Sequence, residues 1–153
     1  MKTYISLLRG INVGGHNQIR MAELKKVYEE MGCEAVETYV NSGNVVFHSI
    51  EEDAALLTQR LQASLLEKVG ATAPILTLEP RDLARVLATN PFLNGRSEDP
   101  ARLHVMFLFS PLDPAVLAKL VKPAGCPDEF ILGEQEIFLF CPMGWAVPRW
   151  RRY

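Results

Sequence analysis

The 153-residue chain predicts an α+β fold: two tandem ferredoxin-like (βαββαβ-type) subdomains, the second lacking its closing helix. Three observations predict it. Strand-like and helix-like apolar patterns follow one another in the order βαββαβ, and the order βαββ then recurs further along the chain. Between them lies the most loop-like stretch, Asn90 to Ala101, which holds Gly95, Ser97, Glu98, Asp99 and Pro100. The resulting organisation is a ferredoxin-like subdomain over 1–79, a connecting helix and loop over 80–101, and a second, incomplete α/β subdomain over 102–153.

Thr3 to Leu8 is a short apolar run of strand formers closed by Arg9-Gly10. From Met21 the period changes. Met21, Leu24, Val27, Tyr28 and Met31 recur at helical spacing opposite Glu23, Lys25, Lys26, Glu29 and Glu30, with Gly32 placed for a left-handed C-cap. Glu34 to Val40 and Asn44 to His48 read as a hairpin around the turn Asn41-Ser42-Gly43. Glu51, Glu52 and Asp53 bring negative charge to the start of the next helix, whose buried stripe is Leu57, Leu61 and Leu65 and whose end is Gly70. Ile75 to Leu78 completes a sheet of expected spatial order 4-1-3-2, with both helices on one face. A connecting helix begins near Pro80 and ends before Asn90-Pro91. In the second copy, Leu103 to Phe109 is a strand and Asp113-Pro114 opens a helix through Leu120. Phe130 to Leu132 and Ile137 to Phe140 are strands joined by Gly133-Glu134-Gln135.

Composition limits the function classes. A formal charge of −2 and a pI near 5.9 give no general attraction to nucleic acid or anionic membrane. The longest apolar runs, such as Val105 to Phe109, are far shorter than the roughly 20 residues needed to span a bilayer, and Met1 to Tyr4 lead into a strand with no secretory signal pattern. A cytoplasmic protein without membrane partners is expected. Cys33, Cys126 and Cys141 are odd in number and lack CxxC spacing, which favours buried reduced thiols over disulfides or a cysteine zinc site. His16, His48 and His104 show no metal-ligand spacing with the carboxylates, so neither a metal nor a cofactor is expected.

The expected sheet order decides where a site would lie. The end of the first strand falls beside the start of the third, so the loop carrying Arg9, Asn12, Gly14 and Gly15 meets Asn41, Ser42 and Asn44. A cation, amides, a hydroxyl and glycines that permit close backbone approach suit a small phosphate- or carboxylate-bearing ligand. Turn chemistry alone also accounts for those residue types, because Gly and Asn tolerate left-handed backbone and Asn side chains satisfy loops. The spacing Gly10, Gly14, Gly15 matches neither GxGxxG nor GxxxxGK[ST], so no conventional nucleotide loop is present. His16 sits in the loop as an acid–base candidate, but spacing identifies no Ser or Cys partner for it, and whether the protein is an enzyme stays open. A non-catalytic interaction or self-assembly module is the alternative.

RNA-recognition modules share βαββαβ order and stack bases on aromatics of the first and third strands, where Tyr4 and Phe47 lie. The third strand lacks the basic and aromatic density of such modules, so nucleic acid is disfavoured as a partner. The tail with Trp145, Arg149, Trp150, Arg151, Arg152 and Tyr153 mixes basic and aromatic residues in the manner of an incidental terminus. A missing closing helix would leave an apolar sheet face, to be covered by that tail or by a second copy in a homo-oligomer.

Leu8-Arg9-Gly10-Ile11-Asn12-Val13-Gly14-Gly15, Met21-Ala22-Glu23-Leu24 and Tyr39-Val40-Asn41-Ser42-Gly43-Asn44-Val45 together resemble the DUF1697 family. The resemblance extends through Asn90-Pro91-Phe92 and the strand around His104. It implies a bacterial protein of two ferredoxin-like α/β subdomains and adds no chemistry. Family members continue past the glycine matching Gly144 through a small basic segment into a final helix with a Thr-Arg-Asn-Trp-like motif. Ala146-Val147-Pro148-Arg149-Trp150 departs from that pattern.

Overall fold

The computed structural model describes residues 1–15, 17–41, 43–117 and 125–144. The chain divides into two compact units, Met1–Arg85 and Val86–Tyr153.

The first unit contains β1 (Lys2–Leu8), α1 (Met21–Glu30), β2 (Glu34–Tyr39), β3 (Asn44–Ser49), α2 (Ala54–Val69) and β4 (Ile75–Leu78). Its four-stranded antiparallel sheet has the order β2-β3-β1-β4, the ferredoxin-like arrangement that the sequence implies. Alternation along β1 and β3 buries Tyr4, Ser6, Leu8, Val45, Phe47 and Ser49. This face packs on Leu24 and Tyr28 of α1 and on Leu57, Leu61 and Leu65 of α2, which recur at helical spacing. Tyr28 meets Phe47 edge-on at 4.9 Å between centroids. The Tyr28 and Ser6 hydroxyls are buried next to each other in this core, and burial pushes the Tyr28 phenol well above its ordinary pKa.

Local chemistry sets the element ends. Asp53 caps α2, its Oδ1 accepting from the N–H of Ala55 at 2.8 Å and of Leu56 at 3.2 Å. Gly70, at φ 68°, closes that helix in the left-handed region. One feature is absent from the sequence reading: Ala35 adopts φ 48° in a bulge that shifts the β2–β3 register between Glu34 and Glu37.

Helix α3 (Pro80–Thr89) spans the division between the units. The second unit adds a 3₁₀ turn (Pro100–Arg102), β5 (Leu103–Phe107), α4 (Pro114–Leu117), β6 (Glu129–Leu132) and β7 (Glu136–Phe140). Its three-stranded antiparallel sheet has the order β5-β7-β6, which repeats the β1-β3-β2 part of the first sheet. Strand β5 stops two residues short of the expected Phe109, because its partner β7 starts at Glu136, opposite Phe107. Helical structure past Leu117 and the closing segment at 145–153 lie outside the described residues.

Both faces of this sheet carry apolar clusters. On one, Leu103, Val105, Phe107, Phe138 and Phe140 pack with Val86 and Phe92; on the other, Met106, Leu108, Ile137, Leu139 and Cys141 pack with Leu112 and Phe130. The loop over 90–99 is anchored to the first face. Asn90 is buried and its Oδ1 accepts from the Phe92 N–H at 3.0 Å. Arg96 lies 5.0 Å from the Phe92 ring centre and 5.4 Å from that of Phe140, and grips Glu129 through both guanidinium nitrogens at 3.0 and 3.1 Å while also bonding Glu98.

Candidate functional site

Three loops converge at the end of the first unit where β1 finishes. The antiparallel pairing of β1 with β3 sets Leu7 opposite Asn44, so the loop after β1 lies beside the β2–β3 turn. The Leu8 N–H donates to the Gly43 carbonyl at 3.0 Å, and the Arg9 N–H donates to the Pro74 carbonyl at 2.9 Å, drawing in the segment before β4. The Asn17 amide closes the third side by donating to the Thr72 carbonyl at 3.0 Å.

Asn12 is the centre of this arrangement. Its Nδ2 donates to the carbonyls of Ile19 at 2.9 Å and Asn41 at 3.1 Å, and its Oδ1 accepts from the Ile19 N–H at 2.8 Å. Both amide hydrogens are thus engaged internally, and Asn12 serves by tying the loop to the turn rather than by donating to a ligand. Its backbone, at φ 55°, also donates to the Asn17 carbonyl at 3.0 Å. Gly43, at φ 81°, sits under the turn, where a Cβ would fall 2.6 Å from Ile11 Cδ1 and 2.9 Å from Leu8 Cβ.

The rim around this tied core is exposed. Gly14 and Gly15 adopt φ 62° and 80° with open space where their side chains would be. Their N–H groups bond no other described residue. The exposed Arg9 guanidinium has no hydrogen-bond or ion-pair partner among the described residues. Asn41 is exposed and Asn44 half-buried, while Ser42 and His16 lie outside the described residues. Val13, Tyr39 and Val40 add apolar surface, at 67%, 72% and 65% exposure. A shallow groove of about 540 Å³ lined by Gln62, Ala63, Leu66, Thr72, Ala73 and Pro74 runs along α2 and shares Thr72 and Pro74 with the converging loops.

Chemically, this arrangement offers a cation, backbone donors and apolar walls. The thiols do not add an activated nucleophile, because burial pushes those of Cys33 and Cys141 above their ordinary pKa. Among the described residues no group of three His, Cys, Asp or Glu could hold a metal ion, and no helix is long and apolar enough to cross a membrane. Tyr4 and Phe47 are fully buried against the helices, and the Tyr4 hydroxyl donates to the Glu51 carbonyl at 2.9 Å, so neither ring is open to a stacked base.

The model of the family described as "Protein of unknown function (DUF1697)" matches residues 1–138, which includes every loop just described. The chain belongs to the DUF1697 family. A solved relative, the conserved bacterial protein SP0830 from Streptococcus pneumoniae, is 31% identical, with a TM-score of 0.72 over 91% of this chain and 76% of that one. No curated protein matches. The DUF1697 residues Leu8 to Gly15 and Tyr39 to Val45, far apart in sequence, are thus joined in space by the Asn12–Asn41 and Leu8–Gly43 hydrogen bonds. Val40 is the residue sequence reasoning missed. A β-branched side chain at φ 50° is rare, and its only sequence signal is its place directly before Asn41-Ser42-Gly43.

Proposed function

We propose that the first unit binds a small ligand bearing a phosphate or carboxylate at the rim formed by Arg9, Gly14, Gly15 and the Asn41–Asn44 turn. The observation that carries this reading is that the Gly14 and Gly15 N–H groups and the Arg9 guanidinium, on one loop, have no partner among the described residues. Successive backbone donors in a turn can make an anion-binding concavity, and a guanidinium adds positive charge with forked donors. Asn12 acts as a positioning residue. The apolar groove beside Thr72 and Pro74 suits a ligand with an uncharged portion. Three unpaired, buried thiols fit a reducing, cytoplasmic setting.

A thermal-shift series with inorganic phosphate, pyrophosphate, nucleotides and small dicarboxylates tests the reading. A ligand at 100 times its Kd stabilises the native state by about 2.7 kcal/mol, which raises the unfolding midpoint measurably. That rise should vanish in Arg9→Ala, whose own stability should match the wild type because the replaced side chain has no partner among the described residues. A rise of equal size in the variant, or none with any compound, would contradict the reading.

A specific observation favours the second reading, a non-catalytic interaction or self-assembly module. Val40 carries left-handed strain while exposing its side chain next to the exposed Tyr39. Val40→Asn should therefore stabilise the isolated protein by about 0.5–1 kcal/mol in urea unfolding. Under the second reading the same variant would also lose partner or self-association, whereas under the first its only cost would fall on ligand affinity.

A further inference from the structure

The chain holds six asparagines, and the residue that follows each decides what its side chain can do to the backbone. The main-chain nitrogen of the next residue can attack the asparagine Cγ and close a cyclic imide, a route by which asparagine is a thermolabile residue. Asn90 is followed by Pro91, which has no N–H to lose. Asn12 and Asn44 precede valines, Asn17 a glutamine and Asn41 a serine, each with a side chain that crowds the attacking nitrogen. Asn94 alone precedes a glycine, which has no Cβ to hinder the attack.

Asn94 and Gly95 form the exposed tip of the loop over 90–99, between two anchored flanks. On one side Phe92 is buried; on the other Arg96 is held over the Phe92 and Phe140 rings and by Glu98 and Glu129. Gly95 takes φ 78°, with open space where a side chain would be. The Asn94 Nδ2 donates to the Ala88 carbonyl at 3.0 Å. That carbonyl lies in the last turn of α3, past the reach of any further helical N–H, so the Asn94 amide caps the helix and ties the loop to it.

We propose that Asn94-Gly95 is a self-modification site whose reaction releases the loop from α3. The Gly95 nitrogen gives up its proton and bonds Asn94 Cγ; the Cγ–Nδ2 bond breaks, and the amide nitrogen leaves with that proton as ammonia. Water then opens the imide at either carbonyl, leaving an aspartate or an isoaspartate at position 94. The net change exchanges an amide nitrogen for an oxygen from water and adds a negative charge. A carboxylate has no hydrogen to donate to the Ala88 carbonyl, and the macrodipole opposes negative charge at the C-terminal end of a helix. An isoaspartate also lengthens the main chain between the Phe92 and Arg96 anchors. The site lies in the second unit, so the inference is independent of the anion-binding reading.

The test is timed incubation of the intact folded chain at neutral and mildly alkaline pH, then digestion at acidic pH to halt the reaction and peptide mapping by mass spectrometry. The peptide holding position 94 should gain the mass that separates an acid from an amide before any peptide holding the other five asparagines. The gain should be faster at the higher pH, where the attacking nitrogen loses its proton more readily, and should divide between aspartate and isoaspartate. Asn94→Gln, which would have to close a larger ring, should stay unmodified at that position. Asn94→Asp reproduces one product outright; it should lower the thermal unfolding midpoint and speed amide exchange over 92–96. A position 94 that outlasts the other asparagines, or that yields aspartate alone, would overturn the site, and wild-type mapping decides this even where a variant folds poorly. An Asn94→Asp chain with wild-type midpoint and wild-type loop exchange would overturn the release from α3.

Discussion

Replacing Gly43 by alanine should destabilise the first unit by about 2–4 kcal/mol in urea unfolding, the sum of two independent costs. The backbone at φ 81° strains any L-residue, and the new methyl would meet Ile11 Cδ1 at 2.6 Å and Leu8 Cβ at 2.9 Å. Neither neighbour can give way easily. Ile11 is 1% and Leu8 6% exposed, and the Leu8 N–H is held by the Gly43 carbonyl itself. Gly14→Ala and Gly15→Ala meet no atom and carry only the backbone strain, so each should cost clearly less than Gly43→Ala. An equal loss at all three would show that close packing under the turn is not what Gly43 provides.

Asn12→Ala comes next, with an expected loss of about 2–3 kcal/mol. The variant removes the partners of the buried Ile19 N–H and carbonyl and cuts the tie to the Asn41 carbonyl. Asn12→Asp should be at least as damaging at neutral pH, because a carboxylate oxygen would replace the amide that faces two carbonyls. Its folded-state pKa would be raised by those carbonyls, so the protonated form favours folding. Stability of the Asp variant should therefore recover as pH falls through that raised pKa, relative to the Ala variant at the same pH. Parallel pH–stability curves for the two variants would rule out the proposed contact geometry.

The first unit was largely legible because its signals are local and periodic. Leu57, Leu61 and Leu65 announce a buried helix face, Asn41 to Gly43 a turn, and strand alternation then forces β1 against β3. Adjacency of the Arg9 and Asn41 loops follows from topology alone. The use of Asn12 was not legible, since an amide in a glycine loop reads alike whether it binds a ligand or its own chain, and only the 2.8–3.1 Å contacts separate the two. Positive φ at Ala35 and Val40 was hidden too, because neither residue type signals it. In the second unit, the sequence shows an apolar strand set but not that Val86 and Phe92 pack on one face with Arg96 stacked on Phe92 and Phe140. Such contacts link residues 44 to 48 positions apart between the loop and β7, beyond the reach of any local pattern.

Anion binding at the rim around Arg9 is the proposal on which the function of the first unit rests. Titration of the amide NMR spectrum with inorganic pyrophosphate measures it most directly. Saturable shifts of the Gly14 and Gly15 amides are expected, with smaller shifts at Asn41 and Asn44, all abolished in Arg9→Ala. Saturable shifts centred elsewhere, or shifts at Gly14 and Gly15 that persist unchanged without the guanidinium, would contradict it.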